Sequence, residues 1–203
     1  FWYFYGLSLR GGRKYNFEHL NRTKKVNMSR LAGKKIAILL AEGVEDLEFY
    51  VPMMRLQEEG AEVLAVGLDM KPVRGKNGLE IKPEVTIEAV KPDELFGLII
   101  PGGWAPDKMR RYAAVTNLVH AMNESGKGIG IICHGGLVAI SAKIVAGKKA
   151  TGSLGIKDDL VNAGATWVDE AAFRDGNQVW GRVVADIPAF CRELVAALVE
   201  SAR

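Results

Sequence analysis

Four short apolar runs, IAILLA (36–41), AEVLAVG (61–67), FGLIIPGG (96–103) and GIGIIC (128–133), alternate with stretches of helical period. A run without polar alternation is what a strand buried on both faces requires, and only a parallel sheet covered by helices on both sides provides that burial. The chain is therefore expected to be α/β, with a mostly parallel central sheet. Two hairpins are expected as additions, one at Asn77-Gly78 within 73–81 and one at Asp175-Gly176 within 166–182, because a tight hairpin turn needs residues that accept positive φ. Helices are expected over 46–59 with Pro52 starting or kinking it, 106–124, 137–147, 156–163 and 187–201.

At 203 residues the chain is long enough for one sizeable core and short for two. The net charge of +3 conceals an asymmetry: residues 1–33 carry seven basic side chains against the single acid Glu18, so the remainder has 20 basic and 23 acidic residues. A mildly acidic body offers no basic stripe for nucleic acid. No apolar run approaches the roughly 18–20 residues of a membrane helix. The basic stretch 1–33 reads as a poorly ordered or appended leader, with 34–203 as the α/β domain and Met28 as a natural start. A transit peptide is the alternative. Two cysteines make no disulfide framework, and no secretory signal is visible, so a reducing cytoplasm is expected.

Ligands in doubly wound sheets bind beyond the carboxyl ends of the strands. Three strand ends carry polar or glycine-rich turns: Glu42 to Asp46, Gly102 to Asp107, and Cys133 to Gly136. Cys133 stands where an apolar run meets a glycine-flanked turn into a helix, and the first turn of a helix favours a thiolate. His134 adjoins it as a titratable base. Gly135 and Gly136 leave backbone uncovered for close approach of a substrate. Attack by the sulfur on a carbonyl would build an oxyanion, which the backbone N–H groups of Gly103 and His134 can receive. Glu45 is the acid expected to face Cys133 and share a proton with it. Trp104 is either a core aromatic, a wall of the pocket or a subunit contact. Cys191 lies on the apolar face of the last helix and reads as core packing. His19 and His120 pair with no second ligand at metal spacing, and no phosphate loop occurs, so neither metal nor cofactor is expected.

The motifs GVEDLEF (43–49), RLQEEG (55–60), PGGWAPD (101–107), ICHGG (132–136), GIKDDLVNAGA (155–165) and ADIPAFCREL (185–194) together resemble the PfpI family of intracellular proteases, glyoxalases and deglycases. That family lies in the class I glutamine amidotransferase-like superfamily, and the likeness runs from about Lys34 to Leu198. It implies a flavodoxin-like three-layer sandwich. It also implies Cys133 as nucleophile, Glu45 as the carboxyl touching its sulfur and His134 as general base. Asp107 would be an acid offered to the histidine of a neighbouring subunit, in a homodimer or hexamer whose active sites straddle the interface. Gly102, Gly103, Trp104 and Gly135 would surround the substrate. The chain departs from the family pattern at Gly136 and Leu137, where proline and glutamine are common, at Trp104, where arginine is common, and in GRVVAD (181–186), which lacks a glycine-proline pair. The implied activity is cofactor-free conversion of a small aldehyde or of glycated protein. A peptidase acting on unfolded protein, and a redox-sensing or chaperone-like protein without turnover, are the alternatives.

Overall fold

The computed structural model describes residues 29–203. Its first half runs β1 (Lys35–Leu40), α1 (Asp46–Glu58), β2 (Glu62–Gly67), β3 (Val73–Arg74), β4 (Glu80–Ile81) and β5 (Val85–Thr86). Next come β6 (Gly97–Ile100), α2 (Ala105–Met109), α3 (Ala113–Glu124), β7 (Gly128–Ile132) and α4 (Gly136–Ser141). The remainder is β8 (Lys149–Ala150), α5 (Lys157–Asn162), β9 (Thr166–Trp167), β10 (Ala172–Asp175), β11 (Gln178–Gly181) and α6 (Ile187–Ser201).

Seven strands form the central sheet in the order β10-β11-β7-β6-β1-β2-β5. All its pairings are parallel except that of the edge strand β10, which returns antiparallel from β11. The unbroken apolar runs are explained by this arrangement: every residue of β6 and β7 is buried. Each large aliphatic side chain buried here contributes about 1.5–3 kcal/mol relative to exposure. This is the mostly parallel α/β sheet expected from the alternation, in the flavodoxin-like sandwich that the family resemblance implies. The hairpin at Asn77-Gly78 forms as β3 and β4, and the one at Asp175-Gly176 as β10 and β11. Among the described residues no helix is long and apolar enough to cross a membrane.

Two helices differ from expectation, and both for reasons of phase. The expected helix over 106–124 is broken between Met109 and Ala113. At 100° per residue, Met109 and Val115 of one continuous helix would face well apart, yet both are fully buried. The break re-phases the second segment. Likewise α4 ends at Ser141 rather than 147, since Lys143 adopts φ 60 and turns the chain so that Ile144 and Val145 enter the core. The helix α1, in contrast, runs on through Pro52.

The folded body reaches back past Lys34. Leu31 is fully buried and its N–H bonds to the Glu59 carbonyl at 2.8 Å, while Arg30 pairs with the Glu59 carboxylate. The rest of the expected leader, residues 1–28 with His19, lies outside the described residues.

The strand order also fixes where a ligand can sit. From β1 the chain proceeds outward to β2 and β5, then crosses back to β6 on the other side of β1. That reversal opens a crevice at the carboxyl ends of β1 and β6, the usual ligand position in such sheets.

Candidate active site

Directly after β7, Cys133 takes φ 58, a left-handed backbone that residues with a Cβ seldom adopt. The sharp bend lifts its side chain off the end of the sheet, as in a nucleophile elbow. Packing enforces it from below. A Cβ on Gly136 would lie 2.8 Å from Ile156 Cδ1, and one on Gly135 would strike the Ile100 carbonyl. Both glycines are buried, so they serve close packing beneath the turn rather than substrate approach, contrary to the expectation for Gly135 and Gly136.

The turns following β1 and β6 are stitched together. Val44 and Gly103 form an isolated antiparallel bridge, Glu45 N–H bonds to Gly102 O at 3.1 Å, and Trp104 N–H bonds to Gly43 O at 2.8 Å. Gly103 has φ 80 and any Cβ there would meet the backbone of Gly43 to Glu45. Gly102 is hemmed in by the reacting groups themselves. A Cβ on it would be 2.6 Å from Glu48 Oε2, 2.7 Å from Cys133 Cβ and 2.9 Å from His134 N.

These contacts correct one expectation. The carboxyl that lies beside the sulfur is Glu48, fully buried in the first turn of α1, its Oε2 and the Cys133 Cβ both crowding Gly102. Its Oε2 also accepts the Gly102 N–H at 2.7 Å, so that N–H is committed to Glu48 and is not a donor for substrate. Glu45 stands at the N-cap of the same helix and turns toward the β3–β4 hairpin. It accepts from Asn77 Nδ2 at 2.6 Å and lies 3.4 Å from Lys76 Nζ. The neighbouring Asp46 accepts the N–H groups of Asn77 and Leu79 at 2.7 and 2.9 Å. The acids after β1 thus divide: Glu45 and Asp46 hold the hairpin, and Glu48 meets the thiol.

Charge in this site is governed by burial. Desolvation pushes Glu48 up to about 7, against the opposing pull of the Gly102 N–H and the neighbouring thiol. Burial pushes Cys133 up to about 12, and the Glu48 charge adds to the rise. A helix of only six residues cannot reverse that. The anion expected at a helix N-terminus is therefore not the resting form of the isolated protomer. The backbone N–H groups of His134 and Gly103 act the other way, favouring the sulfur anion. The sulfur accordingly keeps its proton at rest, and the ionised Glu48 carboxyl beside it is placed to receive that proton. His134 Nδ1 lies 3.3 Å from the sulfur. Burial, with the nearby Lys76 charge, lowers the histidine pKa, so the ring is a neutral imidazole able to take a proton.

Cys133 and His134 line a pocket of about 350 Å³ with Glu45, Lys76, Gly103 and Trp104 on one side and Ser153 and Val183 to Ala185 on the other. Among the described residues no group of three His, Cys, Asp or Glu side chains could hold a metal ion.

The profile of the DJ-1/PfpI family matches residues 34–197. The chain belongs to the DJ-1/PfpI family. It is 40% identical over 164 residues to a protein named Deglycase PH1704 from Pyrococcus horikoshii, covering 81% of this chain and 99% of that one. It is 37% identical over 169 residues to General stress protein 18 of Bacillus subtilis, covering 82% of this chain and 98% of that one. Among solved structures it superposes with TM-score 0.80 and 38% identity on a two-domain protein of Anabaena variabilis containing DJ-1/ThiJ/PfpI-like and ferritin-like domains. The match covers 81% of this chain and 48% of that one, so this chain spans about half of that protein.

Within this DJ-1/PfpI chain, Asp107 is not brought to its own Cys133 pocket. It is exposed on α2 and pairs with Arg111 one turn on. Trp104, 68% exposed, packs over Gly43 and walls the pocket from outside rather than joining the core. Cys191 is buried on the inner face of α6. Sequence reasoning missed Glu48, Lys76 and Ser153. For Glu48 a signal existed, since it shares a helix face with the buried Pro52 and Leu56, where an unpaired acid is out of place.

Proposed function

We propose that this protein is a cysteine-dependent enzyme acting on reactive carbonyls, of the glyoxalase or deglycase type. The observation that carries the reading is the placement of one sulfur between a buried carboxyl held near pKa 7 and a neutral imidazole at 3.3 Å, open to a pocket of about 350 Å³. The relative named Deglycase PH1704 supports the same substrate class.

With methylglyoxal, Cys133 Sγ adds to the aldehyde carbon as its proton passes to Glu48. The new alkoxide is received by the N–H groups of Gly103 and His134 and is protonated to a hemithioacetal. His134 removes the proton from the former aldehyde carbon, giving an enediol, and returns a proton to the neighbouring carbon. The product is a thioester of lactate, which water cleaves to lactate and the free thiol. The aldehyde carbon is oxidised and the ketone carbon reduced, so no outside oxidant or cofactor enters.

The reading extends to an assembly in which a second copy brings Asp107 to His134. Its support is the exposed apolar rim around the pocket mouth, formed by Trp104, Leu154 and Val183, since exposed apolar patches of this kind mark interaction surfaces. The deciding experiment is lactate formation from methylglyoxal by the purified protein. We expect turnover in the wild type and none in Cys133→Ala; equal rates would overturn the mechanism. Release of amine from peptide amides without lactate would favour a peptidase instead.

A further inference from the structure

Beside the Cys133 pocket lies a second chamber of about 510 Å³, between the β3–β4 hairpin and the turn after β1. Its lining includes Glu42, Arg74, Lys76, Asn77 and Trp104, and it shares Lys76 and Trp104 with the first pocket. A substrate whose carbonyl sits at Cys133 can therefore extend past these two side chains into the second chamber.

The charges there are unequal. Glu42 is occupied, its carboxylate accepting the Arg74 backbone N–H at 2.9 Å. Glu45 belongs to the first pocket and is bonded to Asn77 Nδ2 and Lys76. The Arg74 guanidinium makes one long hydrogen bond, Nε to Gly78 O at 3.5 Å, and forms no ion pair among the described residues. Two carboxylates thus face two cations, but Glu42 is engaged by a backbone N–H and Glu45 by Lys76 and Asn77, which leaves the Arg74 guanidinium as the cation of the chamber with no ion pair among the described residues. The exposed indole of Trp104 supplies an apolar wall beside them.

The hairpin carrying both cations is held in place. Asp46 fixes its tip through two backbone N–H groups, and a Cβ on Gly75 would collide with that carboxylate. A cationic group held by such a scaffold discriminates better than a freely moving one.

We propose that this chamber is the recognition subsite for an anionic arm of the substrate, so that the preferred carbonyls are α-oxo aldehydes bearing a carboxylate a few carbons from the reacting aldehyde. The proposal rests on the carbonyl reading of Cys133. With 4,5-dioxopentanoate the same internal transfer operates: Cys133 Sγ bonds to the aldehyde carbon, that carbon is oxidised and its neighbour reduced. Water then releases 2-hydroxyglutarate and restores the thiol.

Two measurements test it. In the first, kcat/KM for 4,5-dioxopentanoate is compared with that for its neutral methyl ester at low salt. We expect about a tenfold preference for the acid that shrinks as salt rises and falls toward unity in Arg74→Gln and Lys76→Gln. The second needs no turnover: alkylation of Cys133 by 3-maleimidopropionate is compared with that by N-ethylmaleimide, each relative to a free neutral thiol. We expect the anionic reagent to be favoured several-fold in the wild type and less so in both variants. A wild-type ratio equal to that of the free thiol, or one unchanged in both variants, overturns the subsite. An anionic preference in alkylation combined with no turnover of any aldehyde would sustain the subsite while refuting the carbonyl reading.

Discussion

The Glu48 carboxyl lies beside the Cys133 side chain with Gly102 wedged between them, and its Oε2 takes the Gly102 N–H at 2.7 Å. Two groups that become anionic when they ionise are thereby held side by side out of water. Both are pushed upward, Glu48 to about 7 and Cys133 to about 12. Keeping them in contact costs stability in proportion to how far pH drives them to ionise.

The sign of that cost is testable. Glu48 moves from its ordinary 4.5 to about 7 on folding, so the folded state binds its proton more tightly. Its contribution is complete below pH 4.5 and is lost as pH rises through about 7, amounting to about 3 kcal/mol between the limits. His134 has a lowered pKa and acts oppositely as pH rises toward its ordinary value, so the wild type must be compared with a variant. Urea unfolding at pH 5 and pH 8 should show Glu48→Gln gaining stability relative to wild type at the higher pH. An unchanged difference between the two pH values would contradict the assignment.

The left-handed backbone of Cys133 predicts an unusual ordering of variants. At φ 58 any side chain is strained, by roughly 1–2 kcal/mol, whereas glycine is not. Part of that gain is offset by the greater freedom of glycine in the unfolded chain. Cys133→Gly should therefore be more stable than Cys133→Ala by about 0.5–1 kcal/mol in chemical denaturation, with both lacking lactate formation.

Gly102 admits no side chain without moving Glu48, Cys133 or the backbone of His134. Gly102→Ala should lose about 1–3 kcal/mol by overpacking. It should also lose about 100-fold in kcat, because displacement of reacting groups by an ångström is enough for that. Unfolding curves and lactate assays on the same preparation check both.

Asp107→Asn separates a local role from one exercised on another subunit. The Asp107–Arg111 pair is exposed, so its loss should change protomer stability by no more than about 1 kcal/mol. Activity should nevertheless fall tenfold or more. Mixing Asp107→Asn with Cys133→Ala and allowing subunits to exchange should restore part of the activity, since mixed pairs place an intact Asp107 against an intact Cys133. Absence of any restoration would argue against the shared site.

The sequence was most informative where one pattern carries one meaning. The runs 36–41, 96–103 and 128–133 could be satisfied only by strands covered on both faces, and they form the middle of the sheet. Helix α6 follows the apolar period of Ile187, Phe190, Cys191, Leu194, Val195 and Leu198 from end to end. A cysteine at the end of a buried strand, followed by glycines, already placed its sulfur at the carboxyl edge of that sheet.

The acid partner and the charge of the sulfur were decided by tertiary structure. Glu45 and Glu48 lie within one turn of each other, and the sequence offers the same chemistry at both; the angle at which α1 leaves β1 turns one toward the hairpin and the other under Gly102. The thiol is raised rather than lowered because burial is a property of everything packed around Cys133, from Gly102 to the end of β11. Local sequence determines which groups can ionise, whereas the amount of water left around them is set only when distant segments close over the site.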